Sequence, residues 1–360
     1  MKIERVVATR LSVPMARPMR TAIHATDRTE NVLVEIESDG LVGQGCTLAF
    51  SAGQSDAVGA MARDLGQTLV GSDVFDLGAL WGGLWMRLNL TGQSGVGMLA
   101  LSAIDTALWD LLSQRAGLPL SVMLGRVHQR LPVYAQGGWL SYSVEQLVDE
   151  ALLYRSRGFR HYKMRVGSPD WRTDVTRVEA VLAAAGPDFH LMLDANQGWP
   201  RHVAMQAAAA IDDLGLFWLE EPVDVHDLVG SAEIAGAMRT PISSGETVFG
   251  VAGFAEMIER RAADILMPDL QHCGGPTGFM RVAALAEAAH LPVSGHLFTE
   301  VSIHLLAACP NALVVEYMPG WWEELFEGAP KISEGWIEPG SSPGLGFRVT
   351  AETKARFKAD

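Results

Sequence analysis

The sequence predicts an α/β protein built around a closed barrel of parallel strands. From Leu131 onward, short apolar runs alternate with helical patterns. Near-continuous apolar strands separated by helices mark a parallel sheet covered on both faces. Eight such runs occur at spacings of roughly 20–30 residues, and eight strand-helix units are what closes a (β/α) barrel. An open, doubly wound sheet is the alternative that periodicity alone leaves standing.

The elements follow in order. Residues 1–50 hold three short alternating segments, Ile3–Val13, Asn31–Ser38 and Leu41–Thr47. The turn Ser38-Asp39-Gly40 joins the last two, and Asp-Gly between alternating segments is a strong hairpin signal. Helical periodicity follows over 55–66, 75–86 and 95–116, completing an α+β unit of about 125 residues. The helix over 95–116 is the most apolar, but it carries Asp105 and Asp110 and reads as an amphipathic core helix. No uncharged apolar run is long enough to span a bilayer. The eight barrel runs are 132–137, 161–166, 189–195, 216–222, 241–246, 264–270, 292–296 and 312–318. The Gly- and Pro-rich tail, 331–360, is expected to pack back on the first unit.

Composition sets the outer bounds. The chain has 360 residues, 48% apolar and 19% charged, so it can build a large core. There are 42 acidic and 28 basic residues, a formal charge of −14. That argues against nucleic acid or an anionic membrane as partner, because both are bound through Lys and Arg. A small anionic substrate is still possible, since a local site can invert the global sign. Cys46, Cys273 and Cys309 are widely spaced and form no CxxC pair, which suits reduced thiols in the cytoplasm. The opening MKIERVVATRLSV has no apolar signal region.

Polar residues end the barrel runs at consistent places. Asp194, Glu220 and Glu246 each close a run and are 26 residues apart. In a barrel they would converge at the rim where active sites form. Three carboxylates brought together repel unless a cation lies between them, and hard oxygen ligands with open positions suit Mg²⁺. Helix N-capping explains any one of the three, but not three in register. Glu221 competes with Glu220 for the role. Lys163 and Arg165 are two apart in one run and project to one face, where they need anions. Asp269 ends the sixth run, His296 the seventh and Glu316 the eighth. An Asp beside a His fixes its tautomer and raises its basicity, which makes a general base.

The ordered set resembles the enolase superfamily, and within it the mandelate racemase subgroup. It comprises Lys163-x-Arg165, Asp194-Ala-Asn196, Glu220-Glu221-Pro222, Gly245-Glu246, Met267-Pro268-Asp269 with Gly274-Gly275, Ser294-Gly-His296-Leu-Phe298 and Glu316. The helix ending in Ile104-Asp-Thr-Ala-Leu-Trp-Asp110 and the closing Pro343-Gly-Leu-Gly346 belong to the same likeness. The resemblance implies a modified (β/α)₇β barrel over 128–325. It implies a cap built from 1–127 and completed by 326–360. It further implies one Mg²⁺ per subunit on Asp194, Glu220 and Glu246, and selects Glu220 over Glu221. The implied reaction removes the proton α to a carboxylate and gives a stabilised enediolate. His296 with Asp269 would be a base. Lys163, Arg165, Asn196 and Glu316 would contact a small hydroxy acid or acid sugar, with Glu316 as a protonated acid. Assembly into a homo-oligomer is implied as well.

One position departs from the racemase pattern of Lys-x-Lys, in which the second Lys is the base opposite His. Here it is Arg165, a permanently charged guanidinium that is a poor proton acceptor and a good anion clamp. Racemisation needs an acid/base on each face of the enediolate, whereas dehydration can use one. The expectation is therefore an acid-sugar dehydratase (a hydro-lyase) forming a 2-keto-3-deoxy acid from an aldonate or aldarate. A racemase, epimerase or lactone cycloisomerase is the alternative, and a non-catalytic carboxylate-binding protein on the same fold is the third. Two cap loops, 15–29 and 45–54, are expected over the substrate. The first carries Arg17, Arg20, Thr21, His24, Thr26, Asp27 and Arg28, a polar set suited to a polyhydroxy acid. Phe50 in the second would cover the substrate or belong to the core.

Two other motifs are set aside. Gly95-Val-Gly97-Met-Leu-Ala100 lacks the preceding strand of a dinucleotide site. In Gly340-Ser-Ser342-Pro-Gly344, Pro343 removes the N–H an oxyanion hole would need.

Overall fold

The computed structural model describes residues 1–321 and 323–359, without the side chain of Arg17. Three antiparallel strands, β1 (Arg5–Arg20), β2 (Ala25–Ser38) and β3 (Leu41–Ala49), begin the chain in the order β1-β2-β3. Asp39 and Gly40 turn β2 into β3, both at positive φ as the Asp-Gly pair requires. The expected loop over 15–29 is shorter than that. β1 runs on to Arg20 and β2 starts at Ala25, with a bulge between Pro14 and Met19 leaving only four residues as the turn.

Helices α1 (Ala52–Gln67), α2 (Leu77–Arg87) and α3 (Gly95–Ala116) follow. α3 is not amphipathic as expected; it is buried nearly all round. One side packs on β3 so closely that a Cβ on Gly43 or Gly45 would stand 2.1 or 2.0 Å from the Ala107 and Ala103 carbonyls. Its two acids join units. Asp105 accepts from the Thr277 amide and hydroxyl, both at 2.8 Å, and Asp110 accepts from the Gln44 and Leu345 amides. By length and composition α3 could cross a bilayer, but 72% of its most apolar window is buried inside this protein.

After the short α4 (Leu120–Met123), strand and helix alternate. The strands are β4 (Leu131–Gln136), β5 (His161–Arg165), β6 (His190–Asp194), β7 (Trp218–Glu220), β8 (Ile242–Ser244), β9 (Ile265–Leu266), β10 (Val293–Gly295) and β11 (Ala312–Tyr317). Between them lie α5 (Val144–Ser156), α6 (Trp171–Ala185), α7 (Arg201–Ile211), α8 (Leu228–Ala237), α9 (Gly250–Glu259), α10 (Pro276–Ala288) and α11 (Thr299–Leu306). Each strand pairs parallel with the next, and β11 pairs with β4. That closure excludes the open sheet. Tyr134, Met192, Trp218, Ile265, Met267 and Val314 form a separate apolar cluster contributed by the barrel strands and their ends.

The tail does return. β12 (Ile332–Ser333) and β13 (Trp336–Ile337) form a hairpin on β4, and α12 (Ala351–Phe357) reaches β1. Val349 exchanges hydrogen bonds with Gln44, and Lys354 pairs with Glu35 at 2.9 Å.

Candidate active site

Strand register assembles the site. Arg165, Asp194 and Glu220 are direct partners across β5, β6 and β7. Glu246 lies just beyond β8, Asp269 beyond β9, His296 beyond β10, and Glu316 within β11. Lys163 is one layer deeper on the face it shares with Arg165. The chain bends sharply where these groups emerge. Asn196, Gln197, Glu221, Leu297 and Phe298 all have positive φ, a conformation costing non-glycine residues about 1–3 kcal/mol each. Gly245, at φ +133, precedes Glu246, and a Cβ there would stand 2.7 Å from the Phe254 ring.

Oxygen atoms of Asp194, Glu220 and Glu246 all lie within 4.8 Å of one another. It is Glu220, not Glu221, that joins this set. Glu221 turns the other way, where Gln197 donates to it at 2.7 Å. Glu220 accepts from the Trp218 indole at 2.9 Å and from Lys163 at 2.7 Å. The Lys163 ammonium, fully buried, is also 3.4 Å from Asp194 and 3.2 Å from Glu316. Arg165 pairs with Asp194, and its guanidinium stands 5.4 Å over the Trp139 ring.

The charge balance falls short of cations. Asp194, Glu220, Glu246 and Glu316 gather around Lys163, Arg165 and His296. Burial, with Glu246 and Glu316 adding repulsion, pushes the Glu220 carboxyl up to about 7. Burial and Glu246 push Glu221 up to about 8. What points to a metal is geometry: three carboxylate oxygens lie within 4.8 Å of one another, and hard oxygens grouped so closely fit a divalent cation.

His296 and Asp269 form the expected dyad, with Nδ1 2.7 Å from Asp269 Oδ2. Asp269 is fully buried, which favours its neutral form. His272, His296 and the Gln271 amide outweigh burial and hold it below its ordinary value. An ionised Asp269 makes Nδ1 the donor and leaves Nε2 free for a proton. Nε2 faces the cavity 3.3 Å from Glu246 Oε2. Burial lowers the His296 pKa, but Glu246 and Asp269 override it and hold it at about 10.

Glu316 departs from the protonated form that the resemblance implies. Burial raises its pKa, but Lys163, His296 and the Leu297 amide, which donates to Oε2 at 2.6 Å, bring it below its ordinary value. These surroundings favour its ionised form.

A cavity of about 320 Å³ opens between the barrel mouth and the cap, lined by Arg165, Asn196, Glu246, Asp269 and His296 on the barrel side. Asn196 Oδ1 and Gln136 Oε1 are buried there without a hydrogen-bond partner. Of the cap residues singled out, Thr21, His24 and Phe50 line the cavity. Arg20, Asp27 and Arg28 are exposed, Thr26 is half-buried, and none of these four lines it. The Arg17 side chain lies outside the described residues. Sequence reasoning missed Trp139, Trp218 and Gln136. Gln136 was within reach, because it ends the first barrel run as the assigned residues end theirs. Trp218 shares a strand face with Glu220 two residues on.

Comparison with known proteins agrees with this architecture. Residues 4–125 match the family described as mandelate racemase / muconate lactonizing enzyme, N-terminal domain, and residues 146–353 match enolase C-terminal domain-like. The chain is 32% identical to L-talarate/galactarate dehydratase of Salmonella typhimurium, over 98% of this chain and 90% of that one. It is 34% identical to 3,6-anhydro-α-L-galactonate cycloisomerase of Streptomyces coelicolor, over 99% of each. The crystal structure of L-talarate dehydratase from Polaromonas sp. JS666, complexed with Mg and L-glucarate, superposes with a TM-score of 0.94 at 35% identity, covering 100% of this chain and 98% of that one. Relatives at similar identity thus catalyse different reactions, a dehydration and a cycloisomerisation. The chain belongs to the mandelate racemase / muconate lactonizing enzyme family of the enolase superfamily.

Proposed function

We propose that this protein is a Mg²⁺-dependent lyase that removes the α-proton of a 2,3-dihydroxy carboxylate and expels water across C2 and C3. This is the reaction type of its acid-sugar dehydratase relatives. One observation carries the reading. The His296–Asp269 dyad faces the cavity from the end of the seventh barrel strand, while the group across the ring on β5 is the guanidinium of Arg165. Guanidinium holds its proton, so it clamps an anion and does not accept a proton.

Asp194, Glu220 and Glu246 would hold the Mg²⁺, whose charge stabilises the anion formed as the α-proton leaves. Glu246 is the group that most raises His296, and with its charge held by a cation it would raise Nε2 less. Nε2 takes the α-proton and Asp269 stabilises the imidazolium. The C2 electron pair forms the C2–C3 double bond as the C3–O bond breaks. The departing hydroxide takes the proton back from His296 as water, and the enol relaxes to a 2-keto-3-deoxy acid. Lys163 and Arg165 oppose the carboxylate charge. Asn196 and Gln136, each with an unpartnered buried oxygen, are acceptors for substrate hydroxyls.

The test is incubation of the purified protein with Mg²⁺ and a panel of aldonic, deoxyaldonic and aldaric acids, with 2-keto-3-deoxy products read by semicarbazone absorbance. A Mg²⁺-dependent keto acid from at least one of them is the expected result. Clean interconversion of two epimers, with no keto acid from any, would reject the proposal in favour of an epimerase.

A further inference from the structure

The two ends of the cavity differ in kind. The barrel end carries the charged and hydrogen-bonding groups described above. The cap end is apolar. It is formed by Met19 of β1, Phe50 after β3, Val96 and Leu99 in the first turns of α3, and Met318 and Trp321 after β11. Phe50 meets Trp321 edge to face at 6.4 Å, and the His24 ring stacks on Phe50 at 5.2 Å. These ring contacts join three separate chain segments into one wall.

The side-chain oxygens of Thr21 and Gln54 at this end accept from their own loops. The Thr21 hydroxyl accepts from the Ile23 and His24 amides, and Gln54 Oε1 accepts from the Phe50 amide. Burial lowers the His24 pKa. A hydroxyl pressed against the apolar wall would lose water without gaining a partner, whereas an apolar group there gains by leaving water.

We infer that the substrate is apolar beyond its carboxylate and the two reacting carbons, ending in an alkyl or aryl group and not in further hydroxyls or a second carboxylate. The inference rests on the proposed reaction for the substrate's reacting end only.

The test compares three acids that share the 2,3-dihydroxy carboxylate head: 2,3-dihydroxybutanoate, 2,3-dihydroxy-3-phenylpropanoate and gluconate. Each diastereomer is assayed with the Mg²⁺-loaded protein. A kcat/KM for the better apolar-ended acid about 10–100-fold above that for gluconate is expected, the range a hydrophobic pocket can supply. Leu99→Gln, which places an amide in the wall, should narrow the ratio by lowering the apolar-ended value. Equal or higher kcat/KM for gluconate overturns the inference while leaving the reaction intact. Loss of water from none of the acids would reject the reaction instead. The inference is then decided by calorimetry on the Mg²⁺-loaded protein. Tighter binding of 2-hydroxy-3-phenylpropanoate than of gluconate upholds it. Tighter binding of gluconate, or binding of neither, overturns it.

Discussion

Replacing Asp269 by Asn should change one proton's address and little else. Asp269 Oδ1 accepts from the Gln271 amide at 2.6 Å and the His272 amide at 3.2 Å, while Oδ2 faces His296 Nδ1 at 2.7 Å. An asparagine has one acceptor oxygen, and two backbone donors claim it. Its NH₂ group must therefore point at His296 and donate to Nδ1. That forces the proton of the neutral imidazole onto Nε2, the nitrogen that must accept from substrate. The variant keeps all three hydrogen bonds, one of them reversed and without the carboxylate charge, so stability should fall by only about 1 kcal/mol. The lost tautomer and the lost charge beside the imidazolium should lower kcat by about 10³–10⁴-fold, or roughly 4–5.5 kcal/mol of transition-state stabilisation. Both are measurable, by urea unfolding and by steady-state kinetics on whichever acid the wild type turns over. A variant within tenfold of wild-type kcat would refute the assignment of His296 Nε2 as the base.

Three further expectations follow from other parts of the molecule. Glu220→Gln should fold but bind Mg²⁺ at least about 100-fold more weakly by calorimetry and lose turnover, since a carboxylate of the triad is gone; wild-type affinity would remove Glu220 from the metal set. Gly45→Ala should destabilise the protein by about 2 kcal/mol or more in urea, because the new Cβ falls 2.0 Å from the Ala103 carbonyl where β3 meets α3; an unchanged midpoint would show that the two elements separate without cost. His304 is fully buried, with the Ser121 amide donating to Nδ1 and Nε2 bonded to the Leu345 carbonyl, and burial pulls its pKa from 6.5 down to about 4. The unfolded chain takes up a proton here that the folded one refuses, so stability is lost as pH falls from about 6.5 to 4, by roughly 3 kcal/mol. His304→Gln should flatten the stability profile in that window, and an unchanged profile would place the acid sensitivity elsewhere.

The barrel and most of its rim groups were legible because a parallel strand buried on both faces leaves a simple trace. An apolar run ends abruptly in a polar residue, and Arg165, Asp194 and Glu220 end theirs in register. What lay beyond reach depends on contacts between distant segments. α3 carries two aspartates and reads as one-sided, yet it is enclosed because Asp105 and Asp110 bond to groups some 172 and 235 residues further along the chain. The segment over 15–29 reads as a polar loop, but pairing of β1 with β2 turns Arg20, Asp27 and Arg28 outward and leaves Met19 facing the cavity. Its apolar wall is drawn from four separate stretches, none of which signals the others. Glu220 and Glu221 are adjacent and chemically identical, and what separates them is the end of β7: Glu220 closes the strand, while Glu221 follows it at positive φ and turns to Gln197.

The central claim is that one base, His296, serves this site and that Arg165 does not exchange protons. Proton NMR of the reaction in D₂O with Mg²⁺ tests it most directly. The account predicts a deuterated 2-keto-3-deoxy product, with any α-deuterium in recovered substrate confined to the starting configuration. Recovered acid carrying α-deuterium in both configurations would require a second proton-transferring group across the ring, and would contradict it.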